Sequence, residues 1–218
     1  MKLYLDTADV EQIRAGDALG VVDGVTTNPS IVAASGRSYR EAVTDVAAVT
    51  DGPVFAQVIA DSADEMVEQA HRYQEWADDV VVKIPANRAG VEALARVRSQ
   101  GVPAGLTVVF SIEQAMLAAK NDADFVAPYV GRLDDAGADG LATVTRMQRT
   151  FDRQGFDTDV LAASVRNTTQ ATALYEAGID AITMGPALLE AHVDHPKTEA
   201  GIAGFDEAWG DRGSPIED

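Results

Sequence analysis

The sequence predicts an α/β protein that folds as a single (β/α)8 (TIM) barrel with an extra helix at its carboxyl end. Eight short runs rich in β-branched residues alternate with longer segments of helical period. Helical segments between strands imply parallel pairing, because a parallel connection requires a crossover. Eight parallel strands are the number that closes a barrel. An open doubly wound sheet is the alternative, but no Gly-rich dinucleotide fingerprint follows the first run.

The eight predicted strands occur at regular intervals along the chain. They are KLYLD from Lys2, GVTT from Gly24, VFAQVIA from Val54, VVVKIP from Val80, AGLTVVF from Ala104, FVAPYV from Phe125, DVLAAS from Asp159 and AITMG from Ala181. The helical segments between them include residues 63–77, 91–101 and 142–155, and the last two end in glycine, as helix carboxyl ends often do. We assign the whole chain, 1–218, to one domain.

An additional helical segment is predicted at 197–209, beyond the eighth strand and helix. Its apolar residues Ile202, Phe205 and Trp209 are spaced i, i+3, i+7 and therefore share one helix face. We expect this face to pack on the outside of the barrel or on a neighbouring subunit.

The charge of the chain excludes several classes of protein. Seventeen basic and 35 acidic residues give a net charge of −18, which argues against a nucleic-acid partner because phosphate backbones attract basic surfaces. The absence of cysteine excludes disulfides, thiol nucleophiles and Cys-liganded metals. With no long apolar stretch and no signal-peptide pattern at the start, we expect no membrane partner and a cytoplasmic location.

Asp is more frequent than Glu in this chain, and Arg is more frequent than Lys. The chain has 23 Asp and 12 Glu but only 4 Lys beside 13 Arg. A surface rich in Asp and poor in Lys stays hydrated in concentrated salt, which also screens its self-repulsion. We interpret the composition as adaptation to a salty cytoplasm, although an acidic protein living at ordinary salt is the alternative.

Polar side chains occur at the carboxyl end of seven of the eight predicted strands, which is where barrels of this class place their active sites. In chain order they are Asp6, Thr26 and Asn28, Gln57, Lys83, Thr107, Tyr129 with Arg132 beyond it, and Ser164 with Arg166 beyond it. The eighth strand ends near Met184 and offers no such group at that residue. The three histidines, His71, His192 and His195, lie away from strand ends, and we predict no metal site.

Lys83 is the most informative of these residues. It is the only one of the four lysines embedded in an apolar strand. Burial lowers the pKa of an amine and favours its neutral form, which is a nucleophile towards carbonyl groups and can form a Schiff base. The alternatives are a lysine that extends to solvent or one that pairs with a buried carboxylate such as Asp6.

The other strand-end residues also have structural interpretations. Asp6 could cap the following helix, Asn28 before a proline could form a turn, and Tyr129 could be a packed aromatic with a satisfied hydroxyl. Gln57 in an apolar strand needs hydrogen-bond partners in any role.

Arginine and serine at neighbouring strand ends form a candidate phosphate clamp. Arg132, Ser164 and Arg166 could bind a phosphate, for which arginine offers a bidentate fork. The two arginines could equally pair with surface acids such as Asp134 and Asp135.

Several motifs together resemble the small-subunit branch of the transaldolase family, which includes the fructose-6-phosphate aldolases. The similarity covers almost the whole chain in order. The matching motifs are LYLDTAD (3–9), GVTTNPSI (24–31), FAQV (55–58), VVVKIP (80–85), APYVGRLDD (127–135), LAASVRN (161–167) and HPKTEAGIAGFDEAW (195–209).

The resemblance implies a role for each part of the site. Lys83 would be the Schiff-base lysine, Asp6 would move protons at the substrate hydroxyls, and Asn28 would orient the intermediate. Arg132, Ser164 and Arg166 match phosphate-holding positions. Short members of the family usually form decamers of two pentameric rings in which the carboxyl-terminal helix reaches a neighbour, and they need neither a metal nor an organic cofactor.

The same resemblance leaves two activities open. Gln57 and Tyr129 resemble the aldolase type, which protonates the enamine and releases dihydroxyacetone. The Tyr129 hydroxyl, with Gln57 and Thr107, could hold the water that supplies this proton. The GRLDD and ASVRN motifs resemble the short transaldolases, which pass the enamine to a second sugar phosphate. We favour the aldolase. A non-catalytic sugar-phosphate binder on the same fold is the remote alternative.

Overall fold

The computed structural model describes residues 1–210 and residue 212, and its strands form a closed barrel. Eight parallel strands lie side by side in chain order, and the eighth pairs with the first. They are β1 (Lys2–Asp6), β2 (Gly24–Thr26), β3 (Val54–Gln57), β4 (Val80–Pro85), β5 (Ala104–Val109), β6 (Phe125–Pro128), β7 (Asp159–Ala162) and β8 (Ala181–Met184). The predicted (β/α)8 barrel is confirmed.

Helices connect the strands, and the described residues contain eleven of them. They are α1 (Val10–Asp17), α2 (Pro29–Ala34), α3 (Tyr39–Ala47), α4 (Ala63–Gln74), α5 (Arg88–Ser99), α6 (Ile112–Ala119), α7 (Val130–Asp135), α8 (Gly140–Gln154), α9 (Thr168–Glu176), α10 (Pro186–Val193) and α11 (Pro196–Trp209). Within the described part of the chain, no helix combines the length and the apolar character needed to cross a membrane.

Six strands, all except β1 and β4, are one to three residues shorter than the sequence predicts, and two of them end early for identifiable reasons. β3 ends at Gln57 rather than at Ala60 because the backbone of Ile59 hydrogen-bonds to the side-chain amide of Gln69. β6 ends at Pro128 because Val130 already begins α7, and Tyr129 keeps only an isolated bridge to β7.

Side chains alternate between the inside and the outside of the barrel, as the period of a strand requires. Outward residues such as Leu5, Val82 and Ile182 pack with the surrounding helices. Inward residues form a second buried cluster centred on Tyr4, Phe55 and Phe125. These three rings meet edge to face, with centroids 4.9 and 5.1 Å apart. The barrel interior at the level of these rings is therefore filled with side chains and leaves no continuous channel along the barrel axis.

Gly105 in β5 makes room for one of these rings. A Cβ atom at this position would lie 2.1 Å from the carbonyl oxygen of Phe125 and 2.6 Å from its Cδ1 atom. No other residue fits there without displacing Phe125. A glycine is therefore required at position 105 by the packing of the barrel interior.

Helix α11 covers the residues for which the sequence predicts an additional helix. It begins after His195, whose side chain accepts a hydrogen bond from the backbone N–H of Lys197. None of its residues is buried, and Phe205 is 77% exposed. Its apolar face is therefore open to solvent in the single chain.

Candidate active site

A cavity opens at the carboxyl end of the strands. Its volume is about 110 Å³, the space of a few water molecules. Six of the predicted site residues line it together with two others: Asp6, Asn28, Lys83, Tyr129, Arg132, Ala163, Ser164 and Thr183. Residues from six different strands or strand ends therefore meet at one point, as in other barrels of this class.

A larger cavity of about 560 Å³ lies at the opposite end of the barrel. Both basic side chains in its lining are already paired, Lys2 with Asp159 at 2.8 Å and Arg98 with Asp124 at 2.6 Å. The cavity at the carboxyl end instead contains a lysine, Lys83, that forms no ion pair with any of the described residues.

Lys83 is buried inside the barrel, with 5% of its surface exposed. Its Nζ donates a hydrogen bond to the backbone oxygen of Thr27 at 2.8 Å, and no salt bridge to it occurs among the described residues. Burial lowers the pKa of the amine, and the charge of Asp6 opposes this shift to a smaller extent. Both structural interpretations of Lys83, extension to solvent and pairing with Asp6, are therefore wrong.

Asp6 ends β1 and points into the cavity beside β2. Its Oδ1 accepts a hydrogen bond from the hydroxyl of Thr26 at 2.7 Å. The helix cap that the sequence left open for Asp6 belongs to Asp9, whose carboxylate accepts from the backbone N–H groups of Glu11 and Gln12. Asp6 is thus available for a ligand.

Thr183 is a site residue that the sequence analysis missed. Its hydroxyl lies 2.6 Å from that of Thr26, and the residue is 4% exposed. Met184, the residue considered at the eighth strand end, faces outward into the packing between sheet and helices. Counting the strand period back by one residue from Met184 would have identified Thr183.

Asn28 combines a structural role with a place in the site. Its Oδ1 accepts from the backbone N–H groups of Ser30 and Ile31, both at 3.0 Å, and so caps α2. The cap fixes the side chain at the cavity wall. Its Nδ2 amino group is then the part of the amide that can donate to a ligand.

Tyr129 and Thr107 form a polar pair at the cavity. Their hydroxyl oxygens are 3.1 Å apart, and the guanidinium carbon of Arg132 lies 4.8 Å from the centre of the tyrosine ring. Burial raises the pKa of Tyr129, while the Thr107 hydroxyl and the Arg132 charge lower it to a smaller extent. Tyr129 is therefore a neutral hydroxyl at pH 7.

The backbone at this side of the site adopts two unusual conformations. Val108, directly after Thr107, has φ = 59°, and the pairing of β5 with β6 shifts between Leu106 and Val109. Ser164 at the cavity has φ = 57°. Such left-handed residues cost about 1–3 kcal/mol each and cluster at functional sites, where bulges orient side chains.

Four of the predicted site residues lie outside the cavity lining: Thr26, Thr107, Gln57 and Arg166. The first two still contact lining residues through their hydroxyls. Gln57 ends β3 next to Lys83 in register, but its backbone N–H and C=O are held by the hydroxyls of Tyr39 and Tyr73 at 2.7 and 3.4 Å. Arg166 forms a two-pronged ion pair with Asp135, as the structural interpretation of this arginine proposed.

The histidines have local partners. His192 contacts the hydroxyl of Tyr175 at 2.9 Å, and His71 contacts Gln100 at 2.6 Å. Within residues 1–210 and residue 212, no three His, Cys, Asp or Glu side chains are grouped closely enough to hold a metal ion.

Comparison with known proteins identifies relatives over nearly the full chain. Residues 3–212 match the family described as Transaldolase/Fructose-6-phosphate aldolase. A "Probable transaldolase" of Herpetosiphon aurantiacus is 43% identical over 209 residues, which cover 96% of this chain and 95% of the relative. A "Probable transaldolase" of Methanococcus maripaludis is 42% identical over 96% of this chain and 97% of its own length. A "Probable transaldolase 2" of Listeria monocytogenes is 39% identical, with 96% of both chains covered.

Proposed function

The chain belongs to the transaldolase/fructose-6-phosphate aldolase family, and from this premise we propose that it forms a Schiff base between Lys83 and a ketose phosphate and cleaves the sugar. The observation that carries the proposal is the burial of Lys83. Its amine reaches a cavity lined by polar groups and forms no ion pair within the part of the chain that the structure describes.

The proposed reaction begins with the neutral amine of Lys83. It adds to the C2 carbonyl of fructose 6-phosphate, and water leaves to give an iminium ion. A base removes the proton of the C4 hydroxyl, the C3–C4 bond breaks, and its electrons move to the iminium nitrogen. Glyceraldehyde 3-phosphate departs, and a dihydroxyacetone enamine remains bound to Lys83.

Asp6 is the proposed base for the C4 hydroxyl. It lines the cavity, and the hydrogen bond from Thr26 to its Oδ1 leaves Oδ2 for the substrate. Asn28 would orient the intermediate by donating a hydrogen bond from its Nδ2 to a sugar hydroxyl. Both roles follow the positions that the family resemblance implies.

The phosphate group is proposed to bind at Arg132 and Ser164. Both lie in the cavity lining, and an anionic substrate needs a local positive group in a protein of net charge −18. Arg166 can join them only by exchanging its exposed partner Asp135 for the phosphate. Exposed ion pairs are weak enough to permit this exchange.

The fate of the enamine divides the two candidate activities. The Tyr129 hydroxyl at the cavity, paired with Thr107, can hold a water that protonates the enamine, which favours release of dihydroxyacetone and thus an aldolase. The second candidate is a transaldolase that passes the enamine to erythrose 4-phosphate. One observation favours it: the relatives are named probable transaldolases.

The test uses fructose 6-phosphate in concentrated KCl, with and without erythrose 4-phosphate. Glyceraldehyde 3-phosphate and dihydroxyacetone are measured separately. Both products without the acceptor support the aldolase. Turnover that requires the acceptor and yields a seven-carbon ketose phosphate assigns the transaldolase. No turnover and no covalent trapping with borohydride would leave a non-catalytic binder.

We predict that Tyr129→Phe lowers dihydroxyacetone release by about 10²-fold, at the lower end of the general acid–base range. Cleavage itself and transfer to erythrose 4-phosphate should persist, because the phenyl ring still fills the same space beneath Arg132. Phe110→Leu, at the neighbouring ring that meets Tyr129 edge to face, serves as the control for altered packing. Unchanged release in Tyr129→Phe would remove the hydroxyl from the proposed mechanism.

Assembly into a homo-oligomer, a decamer by family resemblance, is proposed to cover the exposed face of α11. Phe205→Glu should lower the molar mass measured by light scattering without unfolding the chain, because Phe205 has few contacts to lose within one chain. Ala203→Glu, on another face of the same helix, is the matched control. A Phe205→Glu protein of unchanged mass would contradict the proposal.

A further inference from the structure

Three side chains from three neighbouring strands form a continuous hydrogen-bonded chain at the cavity. Thr183 of β8 lies 2.6 Å from Thr26 of β2, and Thr26 lies 2.7 Å from Asp6 of β1. Thr26 is 1% exposed and Thr183 is 4% exposed, so bulk water does not compete for the hydroxyls. β1 lies between β2 and β8 in the barrel, so the two threonines reach each other across the end of β1.

The direction of this chain is fixed by chemistry. An ionised carboxylate has only acceptor atoms, so the single hydroxyl proton of Thr26 must point to Asp6. The contact between the two threonines then requires the proton of Thr183, which donates to the oxygen of Thr26. Each bond polarises the next, and the donor that reaches Asp6 is strengthened.

Thr183 also faces the cavity while it donates. Its oxygen keeps lone pairs on the side of the ligand, and the residue belongs to the cavity lining. Its proton is committed to Thr26, so Thr183 has no proton left to donate to a ligand.

We infer that Thr183 is a positioning residue that acts through Thr26, holding the Asp6 carboxylate in the orientation needed to take a proton from the substrate. This inference rests on the proposed function, in which Asp6 is the base. Lys83 lies outside the hydrogen-bonded chain, because its Nζ donates to the backbone of Thr27. Thr183 should therefore affect carbon–carbon cleavage and leave Schiff-base formation unchanged.

The experiment compares Thr183→Val and Thr183→Ser in the full chain. Valine keeps the shape but removes the hydroxyl, and we expect kcat for fructose 6-phosphate cleavage to fall about tenfold, as for loss of a hydrogen bond that supports a charged group. Serine restores the hydroxyl and should restore most of kcat. The rate of borohydride trapping with dihydroxyacetone, which needs Lys83 but no cleavage, should match the wild type in both variants.

A double-mutant cycle with Asp6→Asn tests the route of the effect. If Thr183 acts through Asp6, Thr183→Val has no further effect on kcat once Asp6 is Asn. Thr158→Val, which removes a buried threonine hydroxyl at the opposite end of the barrel, controls for general loss of stability and should not lower kcat.

Any of three results for kcat would overturn the inference. They are a Thr183→Val enzyme with wild-type kcat, a Thr183→Ser enzyme as impaired as the valine variant, and an equal loss in the Asp6→Asn background. Loss of borohydride trapping in the Thr183→Val single variant would show that Thr183 acts on Lys83 and would also overturn the inference. If borohydride did not label the wild-type protein, the proposed Schiff-base function itself would be wrong. That outcome is distinguishable from failure of the inference about Thr183.

Discussion

Replacing Lys83 by Met should abolish turnover of fructose 6-phosphate, with a loss of at least about 10³-fold, because the thioether cannot form an iminium ion. Borohydride with dihydroxyacetone should label the wild type at Lys83 and leave Lys83→Met unlabelled, as read by intact mass and peptide mapping. Methionine follows the shape of the lysine stem, so the barrel interior should remain packed.

Lys83→Met should raise the free energy of unfolding although it abolishes activity. Because burial lowers the pKa of Lys83, the unfolded chain binds a proton that the folded chain binds less tightly. The lysine is therefore most destabilising at acidic pH, and its cost fades as pH rises towards its ordinary value of about 10.4. Lys83→Met should gain most in the free energy of unfolding at low pH, and the gap to the wild type should narrow as pH rises.

Lys120→Met is the matched control, since Lys120 is an exposed lysine at the carboxyl end of α6. It should change neither labelling nor the pH dependence of unfolding. Labelling of the Lys83→Met protein at another lysine would disprove the assignment of the nucleophile.

Asp6→Asn should lower cleavage by about 10²–10⁴-fold, the usual contribution of a general base. The amide oxygen of asparagine still accepts the hydrogen bond from Thr26, so the fold and the cavity should persist. Schiff-base formation should also persist, and borohydride trapping with dihydroxyacetone measures it directly. The two readouts separate the base from the nucleophile.

The control for Asp6→Asn is Asp9→Asn, three residues along the chain. Asparagine caps a helix about as well as aspartate, so this variant should keep both activity and stability. If Asp6→Asn cleaved fructose 6-phosphate at the wild-type rate, Asp6 would not be the base. The positioning role inferred for Thr26 and Thr183 would then also be wrong.

The barrel and its lysine could be predicted from sequence because both follow from strong local patterns. Eight β-branched runs determine the strand count, and a lone lysine inside an apolar strand has few structural explanations. Thr183 was missed because the strand was read at its last residue, Met184, although the alternation of side chains places the preceding residue inside.

Gln57 and Arg166 show where strand-end position is insufficient. Arg166 lies just after β7, but a nearby aspartate of α7, Asp135, binds its guanidinium group. This contact depends on the placement of two elements that are distant in sequence. For Gln57, strand alternation places the side chain on the same side of β3 as Phe55, but it does not determine how far that side chain extends towards the cavity. Side-chain pairing between helices and strand ends is a tertiary effect that strand patterns do not contain.

The three aromatic rings of Tyr4, Phe55 and Phe125 have a kinetic consequence. They fill the barrel interior beneath Lys83, so the candidate cavity opens at the carboxyl end of the strands. Under the proposed mechanism, the aldehyde released first must leave through the same opening by which water or a second sugar enters. Under the proposed transferase mechanism, donor and acceptor would bind in turn to the same cavity. We therefore expect ping-pong kinetics, in which a high concentration of one sugar inhibits by occupying the site of the other.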